Sequence, residues 1–180
     1  MPVYTTLKEA ILANDLPTLS LLTCTTISAI GPFNALTMSA CLSRPLAFSH
    51  ILGQHSSLTK SLNTDPLLLS ALTGASVPIW RIILKHEPTA KNRRFCHYGT
   101  VVEQCVQGHK KELLEYLLGE GARVEQTGRP ILLRAKVCGA SEEIKELLIK
   151  YGATTDLPDE EMAELEAKSF QQENNKGNAS

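Results

Sequence analysis

The sequence has no excess of charge of either sign. Its 18 basic and 19 acidic residues leave a formal net charge of −1 over 180 positions. A chain of this length forms one domain or one small array. Without a global charge excess, binding to nucleic acid or to a membrane surface would require a local patch of charge.

The chain also lacks the features of a secreted protein. Its five cysteines are odd in number, widely scattered and include no Cys-x-x-Cys pair. The N-terminal stretch MPVYTTLKEAILAND has no basic start followed by an apolar run, as a secretory signal would have. We therefore expect free thiols in a reducing intracellular compartment, the cytoplasm or alternatively the nucleus.

Charge is missing altogether between Leu16 and Ser43. A membrane-spanning helix needs about 20 mostly apolar residues. Here Pro17, Gly31, Pro32 and many Ser and Thr residues interrupt the run. The stretch is therefore predicted to be a buried part of a water-soluble fold, without a membrane span.

What the sequence does contain is an internal repeat. Its marks are small or turn-forming residues spaced 29 to 34 positions apart: Asn14, Ser43, Gly74, Gly108 and Gly139. Asn commonly replaces Gly where the backbone angle φ is positive, so the marks predict left-handed turns. A repeat of this length is typical of stacked supersecondary units.

Three sets of residues recur at fixed distances from these marks. Seven positions before each mark stands an aliphatic residue: Leu7, Leu36, Leu67, Val101 and Leu132. Three or four positions before it stands a small one: Ala10, Ala40, Ala71, Cys105 and Ala135. From the second mark on, apolar residues stand five and nine positions after it: Phe48, Leu52, Ile79, Ile83, Leu113, Leu117, Ile144 and Leu148.

Each unit is predicted to be a helical hairpin. The short first helix would be capped by Thr5, Asn34 or Asp65, and Pro66 favours a helix start after Asp65. The second helix carries the apolar i, i+4 stripe. Gly121 and Gly152 would end it in the left-handed conformation. One hairpin cannot bury its apolar face alone, so stacking of neighbours is expected.

This pattern resembles the ankyrin repeat family. The resemblance lies in DPLLLSALTGA (65–75), GTVVEQCVQGH with GEGA (99–109 and 119–122), and PILLRAKVCGA with KYGA (130–140 and 150–153). These stand where the family has its T-P-L-H-x-A start, its Gly-His turn and its Gly-Ala ending, and His109 takes the place of the family's structural His. The family's His after the Leu is absent, since these positions hold other residues: Lys8, Thr37, Leu68, Val102 and Leu133.

The resemblance implies an all-α solenoid of about five degenerate ankyrin-like hairpins. It covers 1–156, with approximate units 4–33, 34–64, 65–97, 98–129 and 130–156. The acidic, amphipathic stretch LPDEEMAELEAKSF predicts a short C-terminal capping helix over 157–170. The polar tail 171–180 is predicted to be disordered.

In the ankyrin family, the exposed side of the first helices forms a concave binding face. By that analogy the candidate binding residues are Glu9, Met38, Cys41, Leu42, Leu69, Leu72, Thr73, Glu103, Gln107 and Arg134. The same positions of the frame also include Leu12, Ala13, Val106, Val137 and Cys138. If the frame is right, the middle of this face is an exposed apolar groove. If the frame is off by one residue, its apolar members belong to the core.

The longest interval between marks contains a basic and aromatic segment. KHEPTAKNRRFCHYG (85–99) could hold a phosphate or stack a base through Lys91, Arg93 and Arg94 with neighbouring aromatic rings. A solvated loop explains the same composition. The residues therefore leave both interpretations open, and a nucleic-acid contact is the less favoured one.

Signals of catalysis are weak. The five histidines form no recognised metal-ligand spacing, and no phosphate-binding glycine loop occurs. The most enzyme-like set is Glu103, Arg134, His97 and Tyr98, in which a carboxylate beside an apolar groove could exchange protons with a substrate. A surface ion pair between Glu103 and Arg134 is the simpler explanation. No metal or cofactor is predicted.

The sequence thus predicts an intracellular binding module that recognises a protein partner through an apolar concave groove. The alternative is a small-molecule-binding or catalytic protein that uses the same groove for an apolar metabolite, with acid or base help from Glu103, His97 or Tyr98. Only six charged residues stand in 1–80, so self-association through the N-terminal repeats is a further possibility.

Overall fold

The computed structural model describes residues 2–25, 31–96, 98–124 and 130–154, and the side chains of 7–21 within the first of these ranges. The predicted capping helix 157–170, the predicted tail 171–180 and His97 lie outside the described residues. The described part of the chain is mostly helical, which confirms the all-α expectation. None of its helices is long and apolar enough to cross a membrane.

Ten α-helices occur within the described residues. The first six are α1 (Pro2–Ala13), α2 (Leu16–Thr25), α3 (Pro32–Cys41), α4 (Pro45–Gln54), α5 (Asp65–Gly74) and α6 (Val77–His86). The last four are α7 (Val101–Gln107), α8 (Lys111–Gly119), α9 (Ile131–Val137) and α10 (Glu142–Lys150). Short 3-10 helices at Ser56–Ser61 and Pro88–Asn92 follow α4 and α6.

The helices pack in two rows. The odd-numbered helices contact one another in chain order, from α1 through α3, α5 and α7 to α9. The even-numbered helices do the same from α2 to α10. Each odd-numbered helix is joined to the next even-numbered one by a short loop, so the units are helical pairs packed side by side.

The loop after each odd-numbered helix has a left-handed residue. These residues are Asn14, Ser43, Ala75, His109 and Gly139, with φ between 50° and 65°. In four of the five loops, the next backbone N–H donates to the carbonyl five residues earlier at 2.8 or 2.9 Å: Asp15 to Ala10, Arg44 to Ser39, Lys110 to Cys105 and Ala140 to Ala135. This is the hydrogen bond of a Schellman-type helix ending.

The even-numbered helices α8 and α10 end in the same way. Gly121 has φ 82° and Gly152 has φ 91°, as expected from the sequence. Ala122 N–H donates to Leu117 O, and Ala153 N–H donates to Leu148 O, both at 2.9 Å. The Gly-Ala endings are therefore confirmed as left-handed helix ends.

Two of the five predicted turn residues stand one position before the residue that adopts the left-handed conformation. Asn14, Ser43 and Gly139 are left-handed as predicted, whereas Ala75 and His109 take that conformation instead of Gly74 and Gly108. Gly74 serves close packing, since a Cβ there would lie 2.1 Å from Ala40 O. At Gly108 a Cβ would lie 2.8 Å from Lys110 Cε. Glycine permits both kinds of position, and the sequence does not distinguish them.

A constant spacing of four residues before each left-handed residue changes one member of the small-residue column, in the second unit. Counted from the left-handed residues, four positions back stand Ala10, Ser39, Ala71, Cys105 and Ala135, and all five are buried. Ser39 therefore takes the place predicted for Ala40, and its hydroxyl donates to Leu36 O at 2.7 Å. The second-helix column needs no correction, because all eight of its residues are buried.

Two predicted N-caps are also wrong. Gly31 precedes α3, so Asn34 lies inside the first turn. Thr64 precedes α5, which places Asp65 and Pro66 at the first two helical positions. The carboxylate of Asp65 instead accepts from Arg93, with Nη2 at 2.8 Å and Nε at 3.0 Å. The Thr5 side chain lies outside the described ones.

The interval between α6 and α7 is built into the core. Arg94–Phe95 (β1) pairs antiparallel with Gly99–Thr100 (β2). Ala90 and Phe95 are buried against the helices. This long connection therefore packs on the array, and it brings Arg93 to Asp65 at the start of α5.

Candidate functional site

The structure splits the predicted binding residues into three groups. The exposed ones are Glu9, Cys41, Thr73 and Gln107. The half-buried ones are Met38, Leu42, Leu69 and Arg134, of which the three apolar residues pack against the core. Leu72 and Glu103 are buried, with 3% and 6% exposure. The prediction that Leu72 lines an open apolar groove is therefore wrong, whereas Met38 and Leu69 keep part of their surface exposed.

The shifted frame explains this outcome in the third and fourth units. Counted from Ala75 and His109, the positions predicted for Leu69 and Leu72 belong to Ser70 and Thr73, and those predicted for Glu103 and Val106 belong to Gln104 and Gln107. Thr73 and Gln107 are exposed and Val106 is buried, as the shifted frame requires. The middle of the face, on α5 and α7, is therefore polar.

A cleft lies at the C-terminal end of this face, between α7 and α9. Its volume is about 330 Å³. Its lining consists of Glu103, Gln107, Pro130, Leu133, Arg134, Val137 and Cys138. Val137 leaves 62% of its surface exposed, about as much as Leu21 and Leu46 do on α2 and α4. The cleft therefore combines an apolar wall with a few polar groups, as ligand sites commonly do.

The α7 side of the cleft is fixed by a capping box. The Thr100 hydroxyl accepts from Glu103 N–H at 3.2 Å, and Glu103 Oε2 accepts from Thr100 N–H at 2.6 Å. Gly99 has φ 80°, and a Cβ there would lie 2.2 Å from Glu103 Oε2. The sequence Gly-Thr-x-x-Glu therefore starts the helix and holds the Glu103 carboxylate at its N-terminus.

The α9 side contributes a cation with few partners. Arg134 Nη2 donates to Gln107 Oε1 at 3.3 Å, and its Nε is buried without an acceptor. The predicted Glu103–Arg134 ion pair does not form, since within the described residues no carboxylate pairs with this guanidinium. Gln107 also accepts from Gln104 Nε2 at 3.2 Å, which links the cleft to the polar middle of the face.

The proposed catalytic set is only partly assembled. Glu103 is engaged in the capping box, and His97 lies outside the described residues. Tyr98 has an exposed side chain, and its carbonyl accepts from the Gln104 amide. Among the described residues, no three His, Cys, Asp or Glu side chains group as metal ligands.

The basic segment is largely engaged in contacts within the chain. Lys91 Nζ donates to Glu120 O, and Arg93 pairs with Asp65. Asn92 Oδ1 accepts from Arg123 N–H at 2.8 Å. Of the three basic side chains named as a possible nucleic-acid contact, Arg94 is the exposed one. These contacts join the segment to α5 and to the end of α8, and they account for two of the three cations named as a possible nucleic-acid contact.

A half-buried lysine and a buried cysteine lie near the end of α7, outside the cleft lining. Lys110 Nζ donates to the carbonyl of Leu72, and burial lowers the pKa of Lys110. Burial also raises the pKa of the Cys105 thiol to about 12, which keeps it protonated at neutral pH. Both residues therefore serve packing of α7 against α5.

Comparison with protein-family models, characterised proteins and solved structures finds no match to this chain.

Proposed function

We propose that the chain is a degenerate ankyrin-type repeat array that binds a protein partner through the face of its odd-numbered helices. The recurrent left-handed loops and the two rows of helices support the repeat assignment. The observation that carries the function is the α7–α9 cleft, because it opens on that face and its wall includes the exposed Val137. An intracellular location stays a prediction from the sequence.

The anchor of this surface differs from the one expected from the sequence. Leu72 is buried and is not free to receive a partner, and Leu69 packs partly on the core. Leu133 and Val137 line the cleft instead. Binding energy at interfaces concentrates in a few apolar or Arg anchors surrounded by polar contacts, and the cleft with its polar surroundings has that composition.

The test replaces Val137 by arginine. We expect Val137→Arg to reduce capture of the partner from cell extract at least tenfold, because a charge would occupy the apolar wall. Ile149→Arg is the matched control, since Ile149 on α10 is 53% exposed but lies outside the cleft. Quantitative mass spectrometry of the captured proteins measures the loss, and circular dichroism checks that both variants fold.

Two outcomes would contradict the proposal. Equal capture by wild type and Val137→Arg would remove the cleft from the binding surface. Equal loss in both variants would mean that the captured proteins recognise a general apolar surface.

The second candidate is a small-molecule site in the same cleft. The cavity of about 330 Å³ falls at the lower end of the size range of such sites. The use of Glu103 in the capping box counts against its service as a free acid or base. A rise in the melting temperature with apolar metabolites, together with no partner that depends on Val137, would favour this candidate.

A further inference from the structure

We infer that the α7–α9 cleft binds a partner segment in which an apolar side chain and a carboxylate lie close together. The apolar side chain packs on Pro130, Leu133 and Val137, and the carboxylate pairs with Arg134. This inference rests on the proposed function and adds the chemistry of the partner.

The cationic half of the site follows from a contrast among the basic residues. Arg93, Lys111 and Lys145 each contact a carboxylate at 2.7 or 2.8 Å. Within the described residues, Arg134 donates one long bond, to the neutral amide of Gln107, and its buried Nε, like that of Arg44, has no acceptor. A buried donor without an acceptor is destabilising, so an incoming carboxylate would meet an unused donor.

The apolar half of the site follows from its walls. Pro130 and Leu133 are half-buried and Val137 is largely exposed, and together they form the α9 side of the cleft. A partner side chain placed there would remove this surface from water. The gain scales with the apolar area that is buried.

The charge of the lining favours a carboxylate over a phosphate. Among the described residues of the lining, Glu103 is the one carboxylate and Arg134 the one guanidinium. Its carboxylate is fixed by the Thr100 N–H and does not turn away. A dianionic phosphate would therefore be repelled by Glu103, whereas one carboxylate matches one arginine.

The surroundings favour a peptide over a free fatty acid. Gln107 links Arg134 to Gln104 by hydrogen bonds of 3.3 and 3.2 Å. Thr73 and Ser70 occupy the equivalent positions on α5, so a polar row leads away from the cleft. This row offers amides and hydroxyls to the backbone of a longer chain, which a fatty acid would not use.

The test uses fluorescent nonapeptide pools with a fixed central pair. The pairs are Leu-Glu, Leu-Gln and Leu-Lys, with random flanking residues. We expect the full-length protein to bind the Leu-Glu pool at least tenfold more tightly than the other two in anisotropy titrations. Arg134→Gln should remove this preference, whereas Arg94→Gln, which deletes the same charge at an exposed site, should retain it.

A charge-reversal variant distinguishes a changed site from an unfolded protein. Arg134→Glu should prefer the Leu-Lys pool over the Leu-Glu pool, which only a folded cleft can do. Equal binding of Leu-Glu and Leu-Gln by wild type, or no reversal in Arg134→Glu, would overturn the inference. Absence of binding by all three pools would overturn it as well.

Cysteine alkylation locates the bound peptide. Cys138 lines the cleft, so the Leu-Glu pool should slow its reaction with iodoacetamide at least threefold. Cys96 is exposed and should react at an unchanged rate, and buried Cys105 is the unreactive reference. Peptide binding without protection of Cys138 would overturn this inference, while the Val137→Arg result judges the proposed function separately. Protection by octanoate at lower concentration than by the peptides would assign the cleft to small apolar acids.

Discussion

Glycine and its neighbours have different uses at the loops of this chain. Gly139 has φ 65° and no atom within 4 Å of a possible Cβ, so it serves the left-handed conformation. Gly74 serves close approach, because a Cβ there would meet backbone atoms of α3. Ala75, at φ 50°, adopts the left-handed conformation although it has a Cβ. In the loop between α5 and α6, the residue that bears the backbone strain is therefore Ala75.

These roles predict opposite effects of exchanging Gly and Ala. Ala75→Gly should raise the free energy of unfolding by about 1 kcal/mol, because an L-residue in the left-handed region is strained by about that amount. Gly139→Ala should lower it by about 1 kcal/mol for the same reason. Urea denaturation followed by circular dichroism measures both changes.

Gly74→Ala provides the third comparison. It should destabilise the fold more than Gly139→Ala does, since the new Cβ would lie 2.1 Å from a backbone oxygen. If Gly74→Ala costs no more than Gly139→Ala and Ala75→Gly is destabilising, the left-handed residue of this loop is Gly74.

At the scale of helices, the sequence predicted the even-numbered ones better than the odd-numbered ones. The predicted residues Ile79 and Ile83 in α6, and Leu113 and Leu117 in α8, are each followed by a second apolar residue, so a one-residue error at the loop leaves the stripe on the core side. All four residues are buried as expected. The prediction of buried residues on the even-numbered helices is therefore unaffected by the one-residue error at the turns.

The odd-numbered helices are short and apolar on more than one side. In α5, Leu67, Leu68 and Leu72 are all buried because the helix packs against neighbours on both sides. A shift of one residue exchanges one leucine for another, so the pattern of apolar residues does not reveal it. Only the backbone angles of Ala75 and His109 do. The positions predicted on α5 and α7 depend on that shift, whereas those on α9 do not. The predicted face therefore already contained five of the seven described residues that line the cleft, and it lacked Pro130 and Leu133.

The segment between α6 and α7 carries a prediction of its own. Phe95→Ala should lower the free energy of unfolding by about 3–5 kcal/mol, because it leaves a cavity where a fully buried ring packs. Arg94→Ala, at the exposed neighbouring position on β1, should change it by no more than about 0.5 kcal/mol. Chemical denaturation of both variants makes the comparison. Similar effects of the two substitutions would mean that the segment is a solvated loop.

At the scale of the whole molecule, adjacent units stabilise one another. Side-chain ties cross each boundary in the middle of the array: Ser43 Oγ to Gly74 O, Lys110 Nζ to Leu72 O and Lys91 Nζ to Glu120 O. In an array of this kind, each unit is stabilised by its own contacts and by those with its immediate neighbours. Among the described residues, units in the middle therefore have neighbouring units on two sides, and units at the ends have one on one side.

This difference predicts the order of hydrogen exchange. Amides of α5 and α6 should exchange slowest, because α3 and α4 pack on one side of them and α7 and α8 on the other. Amides of α1 and α2 should exchange fastest, since within the described residues they have neighbours on one side only. If 157–170 caps the array as the sequence predicts, α10 should exchange more slowly than α2. Mass spectrometry of the 180-residue chain at two concentrations measures the order.

Protection of α1 and α2 that grows with concentration would indicate self-association through the charge-poor N-terminal units. Uniform exchange along the chain would contradict the stacked arrangement.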